Sequence, residues 1–163
     1  MAKMGLDFEI VVDEELYTYS ENKHIVALCY LKFMDGYFPN DRWTDLVNSV
    51  LGMWTYDLTK HSNCDTKKFI LYFMDGPYRL DVAKDENMKA TIQCVNYRYE
   101  DVVEMSFVCY FIDLLKAVYE ANKKMSKMLF DKKMHKGKYA SVYKDYLLNC
   151  EDLMVAIESL NAF

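Results

Sequence analysis

With 163 residues, 52% of them hydrophobic, the chain is long enough for one domain, residues 1–163, with a substantial core. Five glycines, two prolines and 15% aromatic residues exclude a disordered or loop-rich chain. A net charge of −5 argues against general nucleic-acid binding, because such binding depends on cationic contacts to phosphate.

The cysteines are odd in number and show no C-x-x-C spacing, so neither a disulfide framework nor a zinc site is predicted. They are Cys29, Cys64, Cys94, Cys109 and Cys150. The most apolar stretch, 105–118, is interrupted by Asp113 and is shorter than the roughly 20 residues of a membrane-spanning helix. We therefore expect reduced thiols, a cytoplasmic protein and no membrane partner.

The chain opens with two predicted strands. Residues 7–12 alternate as a strand, and the three acids that follow, Asp13, Glu14 and Glu15, are expected to end it in solvent. Residues 24–34 are rich in β-branched and aromatic residues and form the second predicted strand.

A short amphipathic helix is predicted to begin within a residue or two of Arg42 and to carry both tryptophans. Its polar positions are Asp45, Asn48, Ser49 and Asp57. Its apolar stripe has three- and four-residue spacing and comprises Trp43, Leu46, Val47, Val50, Leu51, Trp54 and Leu58. We expect the rest of the chain to pack around this helix.

The sequence Phe-Met-Asp-Gly occurs twice, at 33–36 and at 73–76. An Asp-Gly pair between β-patterned runs is typical of a tight hairpin turn, so residues 69–74 and 78–82 are predicted to be the arms of the second hairpin. An alternative is that Asp35 and Asp75 form a catalytic or metal-binding pair in a small enzyme. That function would require the two carboxylates to converge.

The second half of the chain changes from strand to helix patterning. The polar segment 59–67 is a predicted loop, in which His61, Cys64 and Asp65 form only a weak ligand set. Residues 89–98 are a predicted strand, and a long helix is expected from Phe107 onward. A final helix, with a break near Asn149, should complete the chain.

Lysines crowd residues Lys123–Lys138, whereas acidic residues dominate the first 21 positions. A basic loop with nearby tyrosines offers a second alternative function, nucleic-acid binding, but no recognisable nucleic-acid motif accompanies it. The sequence also lacks a phosphate-binding loop and the common catalytic motifs. We therefore expect a non-catalytic protein without cofactor or metal.

The order of these elements predicts an α+β fold. We expect a mostly antiparallel sheet of about five strands. The Trp-bearing helix is inserted early, and the C-terminal helices pack on one face of the sheet.

Two short motifs carry a family resemblance: Phe38-Pro39 with Trp43-Thr44-Asp45, and the run 73–78, Phe-Met-Asp-Gly-Pro-Tyr. Over roughly residues 26–130 the chain resembles the small intracellular bacterial immunity proteins of polymorphic toxin systems. The resemblance implies that the protein binds a cognate toxin stoichiometrically and neutralises it. A nuclease is the toxin class that an acidic inhibitor suits, because opposite potentials speed association. Asp13, Glu14 and Glu15 are the predicted contact residues.

Overall fold

The computed structural model describes residues 8–19, 24–62 and 67–161, and it describes side chains in the first of these ranges only as far as Asp13. The helices of the described chain are α1 (Val47–Ser62), α2 (Phe111–Asp131) and α3 (Ala140–Asn161), and a short 3-10 helix spans Gly137–Tyr139. The strands are β1 (Phe8–Tyr19), β2 (Ile25–Phe33), β3 (Gly36–Phe38), β4 (Thr44–Leu46), β5 (Lys68–Tyr72), β6 (Tyr78–Lys84), β7 (Lys89–Asn96) and β8 (Val102–Tyr110).

The described strands form two antiparallel sheets. In the first sheet β2 pairs with β1, β3 and β4, and in the second the order is β5-β6-β7-β8. The predicted α+β class is confirmed, but the single sheet of about five strands is wrong. Helix α1 lies between β4 and β5 in the chain, and the strands on either side of it pair only among themselves.

A continuous hydrophobic core joins both sheets and the three helices. Phe107 of β8 contacts the rings of Phe8 and Phe33, with ring centroids 4.8 and 5.0 Å apart. Helix α1 packs against β2, β4 and β5, α2 packs against β1 and β8, and α3 packs on the other two helices. The two sheets are therefore held together by aromatic side chains and by helices that contact both.

The first strand is longer than the sequence predicts. Instead of ending at Asp13, β1 continues to Tyr19, with an irregular register against β2 between Asp13 and Thr18. The register resumes with Thr18 opposite Val26. Pairs on both sides of the irregular stretch, Asp13 with Leu28 and Thr18 with Val26, hold it beside β2.

Helix α1 begins at Val47, later than predicted, so Trp54 lies on it and Trp43 does not. The segment Thr44–Leu46 pairs with β2 instead. Within the helix the predicted stripe is confirmed, because Val47, Val50, Leu51, Trp54 and Leu58 are all fully buried. The indole Nε1 of Trp54 also donates a hydrogen bond of 2.7 Å to the carbonyl oxygen of Tyr72.

Two helix boundaries in the second half also differ from the predictions. Phe107 lies in β8, where Met105, Phe107 and Cys109 alternate with more exposed neighbours, and α2 begins only at Phe111. Helix α3 runs without a break past Asn149, whose side chain donates a hydrogen bond to Asn122 Oδ1 at 3.0 Å. Because this contact with α2 satisfies the polar side chain of Asn149, the helix does not need to break there.

Candidate functional site

The outer surface of the first sheet carries acidic and tyrosine side chains. Along β1, Phe8, Ile10 and Val12 are buried, whereas Glu9 is exposed and Asp13 is half-buried. Alternation in a strand therefore places Glu9 and Asp13 on the side away from the core. We call the set Glu9, Asp13, Tyr30, Tyr37 and Asp41 the acidic face.

Strand register brings the acidic face together. Val11 of β1 lies opposite Tyr30 of β2, and Glu9 lies opposite Lys32. Lys32 in turn lies opposite Tyr37 of β3. The rings of Tyr30 and Tyr37 meet edge to face with centroids 5.7 Å apart, and Lys32 Nζ is 3.9 Å from Glu9 Oε1.

The pKa of Tyr30 responds to the acids near it. Partial desolvation raises the pKa of Tyr30 above its ordinary value, and the neighbouring Tyr37 raises it further. Negative charge adds to the same shift from three carboxylates: Asp41, Asp13 and Glu9. Three acids from two segments thus lie near one tyrosine.

Of the predicted contact residues, the structure places Asp13 on the acidic face. Glu14 and Glu15 lie in the same strand, in the irregular stretch between Asp13 and Thr18, and their side chains lie outside the described residues. The prediction did not include Tyr30, Tyr37 or Asp41. The alternation of residues 8–13 could have grouped Glu9 with Asp13, but the tyrosines required the strand pairing.

The structure places Asp35 and Asp75 in turns of different sheets. Asp35 is exposed between β2 and β3, and Asp75 is exposed between β5 and β6. A third carboxylate, that of Asp45, approaches the second turn and accepts the backbone N–H of Asp75 at 3.0 Å. Among the described residues, no group of three or more His, Cys, Asp or Glu side chains is arranged to hold a metal ion.

Asp45 was predicted to lie on the polar side of a helix, but it is only 1% exposed. Its carboxylate accepts hydrogen bonds from four N–H groups: Trp43 Nε1 and the backbone amides of Leu46, Met74 and Asp75. Burial raises the pKa of Asp45 above its ordinary value, and the hydrogen bonds from Trp43, Asp75 and Leu46 oppose that rise. Because both oxygens are engaged in this way, Asp45 holds the β5–β6 turn in place.

The basic segment extends over more than one structural element. Lys123, Lys124 and Lys127 are exposed on α2, beside β1, and Lys136 and Lys138 lie near the short 3-10 helix. The weak ligand set of the polar loop is only partly described. His61 stacks on Phe69 at the end of α1, and Cys64 and Asp65 lie outside the described residues.

Within the described residues, no helix combines the length and the apolar character that crossing a membrane requires. No family model matches the chain, and the comparisons with curated proteins and with solved structures found no match either.

Proposed function

We propose that the protein is a non-catalytic binding module that docks a cationic partner protein on its acidic face. The observation that carries this proposal is the strand register, in which Glu9 and Asp13 flank Val11 opposite Tyr30, and Tyr30 contacts Tyr37 at a ring-centroid distance of 5.7 Å. Tyrosine side chains provide contact area and a hydrogen-bonding group at little entropic cost, and tyrosine is enriched at protein interfaces.

The charge of the face favours a basic partner over an acidic one. Opposite potentials raise the association rate, and like charges brought together cost several kcal/mol. Lys32 is a cation within this surface, but its Nζ lies 3.9 Å from Glu9 and its charge is partly offset there. The net negative charge of the chain acts in the same direction.

The partner we propose is a cognate toxin of the same bacterium, with a basic nuclease as the class that the acidic face suits. This step rests on the sequence resemblance to immunity proteins, carried by Phe38-Pro39, Trp43-Thr44-Asp45 and the run 73–78. Neutralisation would follow from occupation of the toxin surface by a folded, stoichiometric inhibitor.

Affinity capture from the source organism, followed by mass spectrometry, tests the partner class. We expect one stoichiometric protein that is basic, encoded next to this gene, and toxic when expressed without it. Coexpression with the present protein should restore growth. Capture of no protein, or only of nucleic acid that salt removes, would refute the proposal.

Charge reversal tests the acidic face itself. One test variant, Glu9→Lys with Asp41→Lys, reverses two acids of the acidic face. The other, Asp13→Lys with Glu14→Lys and Glu15→Lys, reverses the three contact residues predicted from the sequence. Each variant should bind the captured partner at least about tenfold more slowly, with a weaker dependence on salt. Glu86→Lys with Glu151→Lys is the matched control, because both acids are exposed on other surfaces. Unchanged association rates for both test variants would exclude the acidic face as the contact.

A further inference from the structure

The second sheet ends in a strand, β8, whose free side is open to solvent. β8 pairs with β7 and is the last strand of this sheet among the described residues. The core-facing residues of β7 are fully buried, but the residues opposite them in β8 are only half-buried: Met105, Phe107 and Cys109. Solvent therefore reaches β8 from the side on which it has no neighbouring strand.

Hydrogen bonds show which backbone groups of β8 face this open side. The N–H of Phe111 donates to the carbonyl oxygen of Met88 at 2.8 Å, and these two residues continue the register between β7 and β8. In an antiparallel ladder, residues that bond to the neighbouring strand alternate with residues that direct their N–H and C=O groups the other way. Ser106 and Val108 therefore direct both groups away from β7, and Tyr110 directs its N–H the same way.

These outward groups are accessible. Ser106, Val108 and Tyr110 are all exposed, and the exposed fraction of Val108 is 58%. No hydrogen bond joins their outward groups to another residue of the described chain. The first sheet contacts β8 through the ring of Phe107, whose side chain points to the core rather than to the open edge.

Helices treat the two edges of this sheet differently. At the β5 edge, α1 packs against the strand and Trp54 Nε1 donates to the carbonyl oxygen of Tyr72. At the β8 edge, α2 begins with Phe111, which is fully buried and contacts the ring of Phe69 in β5. Helix α2 thus crosses to the core side of the sheet instead of following β8, and the β8 edge stays uncovered within the described chain.

The chemistry of β8 favours a second copy of the same strand as its partner. An open edge strand pairs with another extended chain of compatible side chains. The regular run of β8, residues 105–110, contains no charged residue, and Glu104 is the only charged residue of the strand. A second β8 offers an uncharged run of equal length with outward donors and acceptors. Two-fold symmetry makes the antiparallel pairing of two such strands self-complementary.

We propose that two copies of the protein associate through antiparallel pairing of their β8 strands, which joins their second sheets into one continuous sheet. Val108 lies opposite Val108 of the second copy, and the N–H of Tyr110 donates to the carbonyl oxygen of Ser106 of that copy. This register uses the outward groups of all three residues and covers the exposed Val108 in a cross-strand pair. None of these residues belongs to the acidic face, so the inference does not depend on the proposed function.

Sedimentation of the whole protein over a wide range of concentrations tests the proposal. We expect a reversible equilibrium between monomer and dimer. Val108→Lys places like charges directly opposite each other in the dimer and should raise its dissociation constant at least about tenfold. Val155→Lys is the matched control, because Val155 is 68% exposed on α3 and its replacement makes the same change of charge. The control should leave the dissociation constant unchanged.

Amide hydrogen exchange of the wild type, resolved by residue with NMR, locates the contact without a substitution. The N–H groups of Ser106, Val108 and Tyr110 should exchange slowly above the dissociation constant and rapidly below it. Those of Phe107 and Cys109 bond to β7 and should be protected at both concentrations. Three results would overturn the proposal: a monomer at every concentration, equal effects of the two lysine variants on the dimer, or exchange of the outward amides that does not change with concentration.

Discussion

Gly76 lies against the indole of Trp43 so closely that a Cβ on Gly76 would be 2.6 Å from Trp43 Cη2. The same glycine has a φ of +73°, which L side chains rarely adopt. The β5–β6 turn can therefore pack this closely against Trp43 only because Gly76 has no Cβ.

Gly76→Ala should lower the free energy of unfolding by about 2 kcal/mol or more. The left-handed backbone costs an alanine about 1–2 kcal/mol, and the contact with Trp43 adds to that. Gly52→Ala is the matched control, because a Cβ there would meet nothing within 4 Å. Gly52 lies inside α1, so its replacement should stabilise the protein by about 0.5–1 kcal/mol. Urea unfolding of both variants checks the pair, and equal effects would contradict the packing argument.

Asp45→Asn should destabilise the protein by about 3 kcal/mol at neutral pH. One amide oxygen cannot replace two carboxylate oxygens, so the amide nitrogen of Asn would face two donors, Trp43 Nε1 and the Met74 N–H. Each buried donor left without a partner costs about 1–3 kcal/mol. Asp75→Asn, in the exposed side chain of the same turn, should change stability by less than about 0.5 kcal/mol. Chemical denaturation of the two variants gives the comparison.

The raised pKa of Asp45 predicts a pH dependence. The folded state binds the proton of the Asp45 carboxyl more tightly than the unfolded state does, so protonation of Asp45 stabilises the fold. This contribution to the free energy of unfolding is complete below the ordinary pKa of about 4, and it is lost as pH rises through the raised folded value. The free energy of unfolding of the wild type should accordingly decrease as pH increases across that window. An NMR titration of the Asp45 carboxyl gives its pKa directly. A value below the ordinary one would show that the four hydrogen bonds outweigh desolvation.

Lys84 links the end of α1 to the second sheet. Its buried Nζ donates to the carbonyl oxygen of His61 and lies 4.5 Å from the centroid of the Phe111 ring. Lys84→Met keeps an apolar stem of similar shape but removes the donor and the positive charge near a helix C-terminus. We expect a loss of about 1–2 kcal/mol in the free energy of unfolding. The exposed Lys89→Met should have little effect, and similar losses for both would contradict the assignment.

Asn122 connects the three helices through its amide. Its Nδ2 donates to Thr55 Oγ1 at 3.2 Å and to the Val118 carbonyl oxygen at 2.9 Å, and its Oδ1 accepts from Asn149. Asn122→Ala should cost about 2 kcal/mol, because partners on α1 and α3 lose their hydrogen bonds inside the core. A double-mutant cycle with Thr55→Ala should give a coupling energy of at least about 0.5 kcal/mol. Additive effects would show that the 3.2 Å contact carries no net stabilisation.

Local sequence pattern was sufficient for much of the fold. The alternation at 89–98 predicted β7, the three- and four-residue spacing predicted the buried face of α1, and Asp75-Gly76 predicted a turn in which Gly76 has positive φ. The predicted start of α1 was wrong at Trp43, because spacing alone does not distinguish the last residues before a helix from its first turn. The backbone of Thr44–Leu46 pairs with β2, a partner some eighteen residues earlier in the chain.

The candidate site was likewise predicted in part from local sequence and completed only by long-range pairing. The order of charges along the chain predicted an acidic contact surface at Asp13, Glu14 and Glu15, but Tyr30 and Tyr37 join Asp13 only through the pairing of β1, β2 and β3. Likewise, the early acids and the late lysines were visible as separate runs. Only packing placed Glu9 of β1 and Lys123 of α2 beside each other, where both line a groove between these two elements.

The sequence by itself determined the α+β class, the buried face of α1 and the sign of the net charge, because these follow from local periodicity and composition. The tertiary structure decided which strands pair, why Asp45 is buried, and which charged residues are neighbours. Those outcomes depend on contacts between segments far apart in the chain, and no local pattern records which distant segment will supply the partner of a given N–H group or carboxylate.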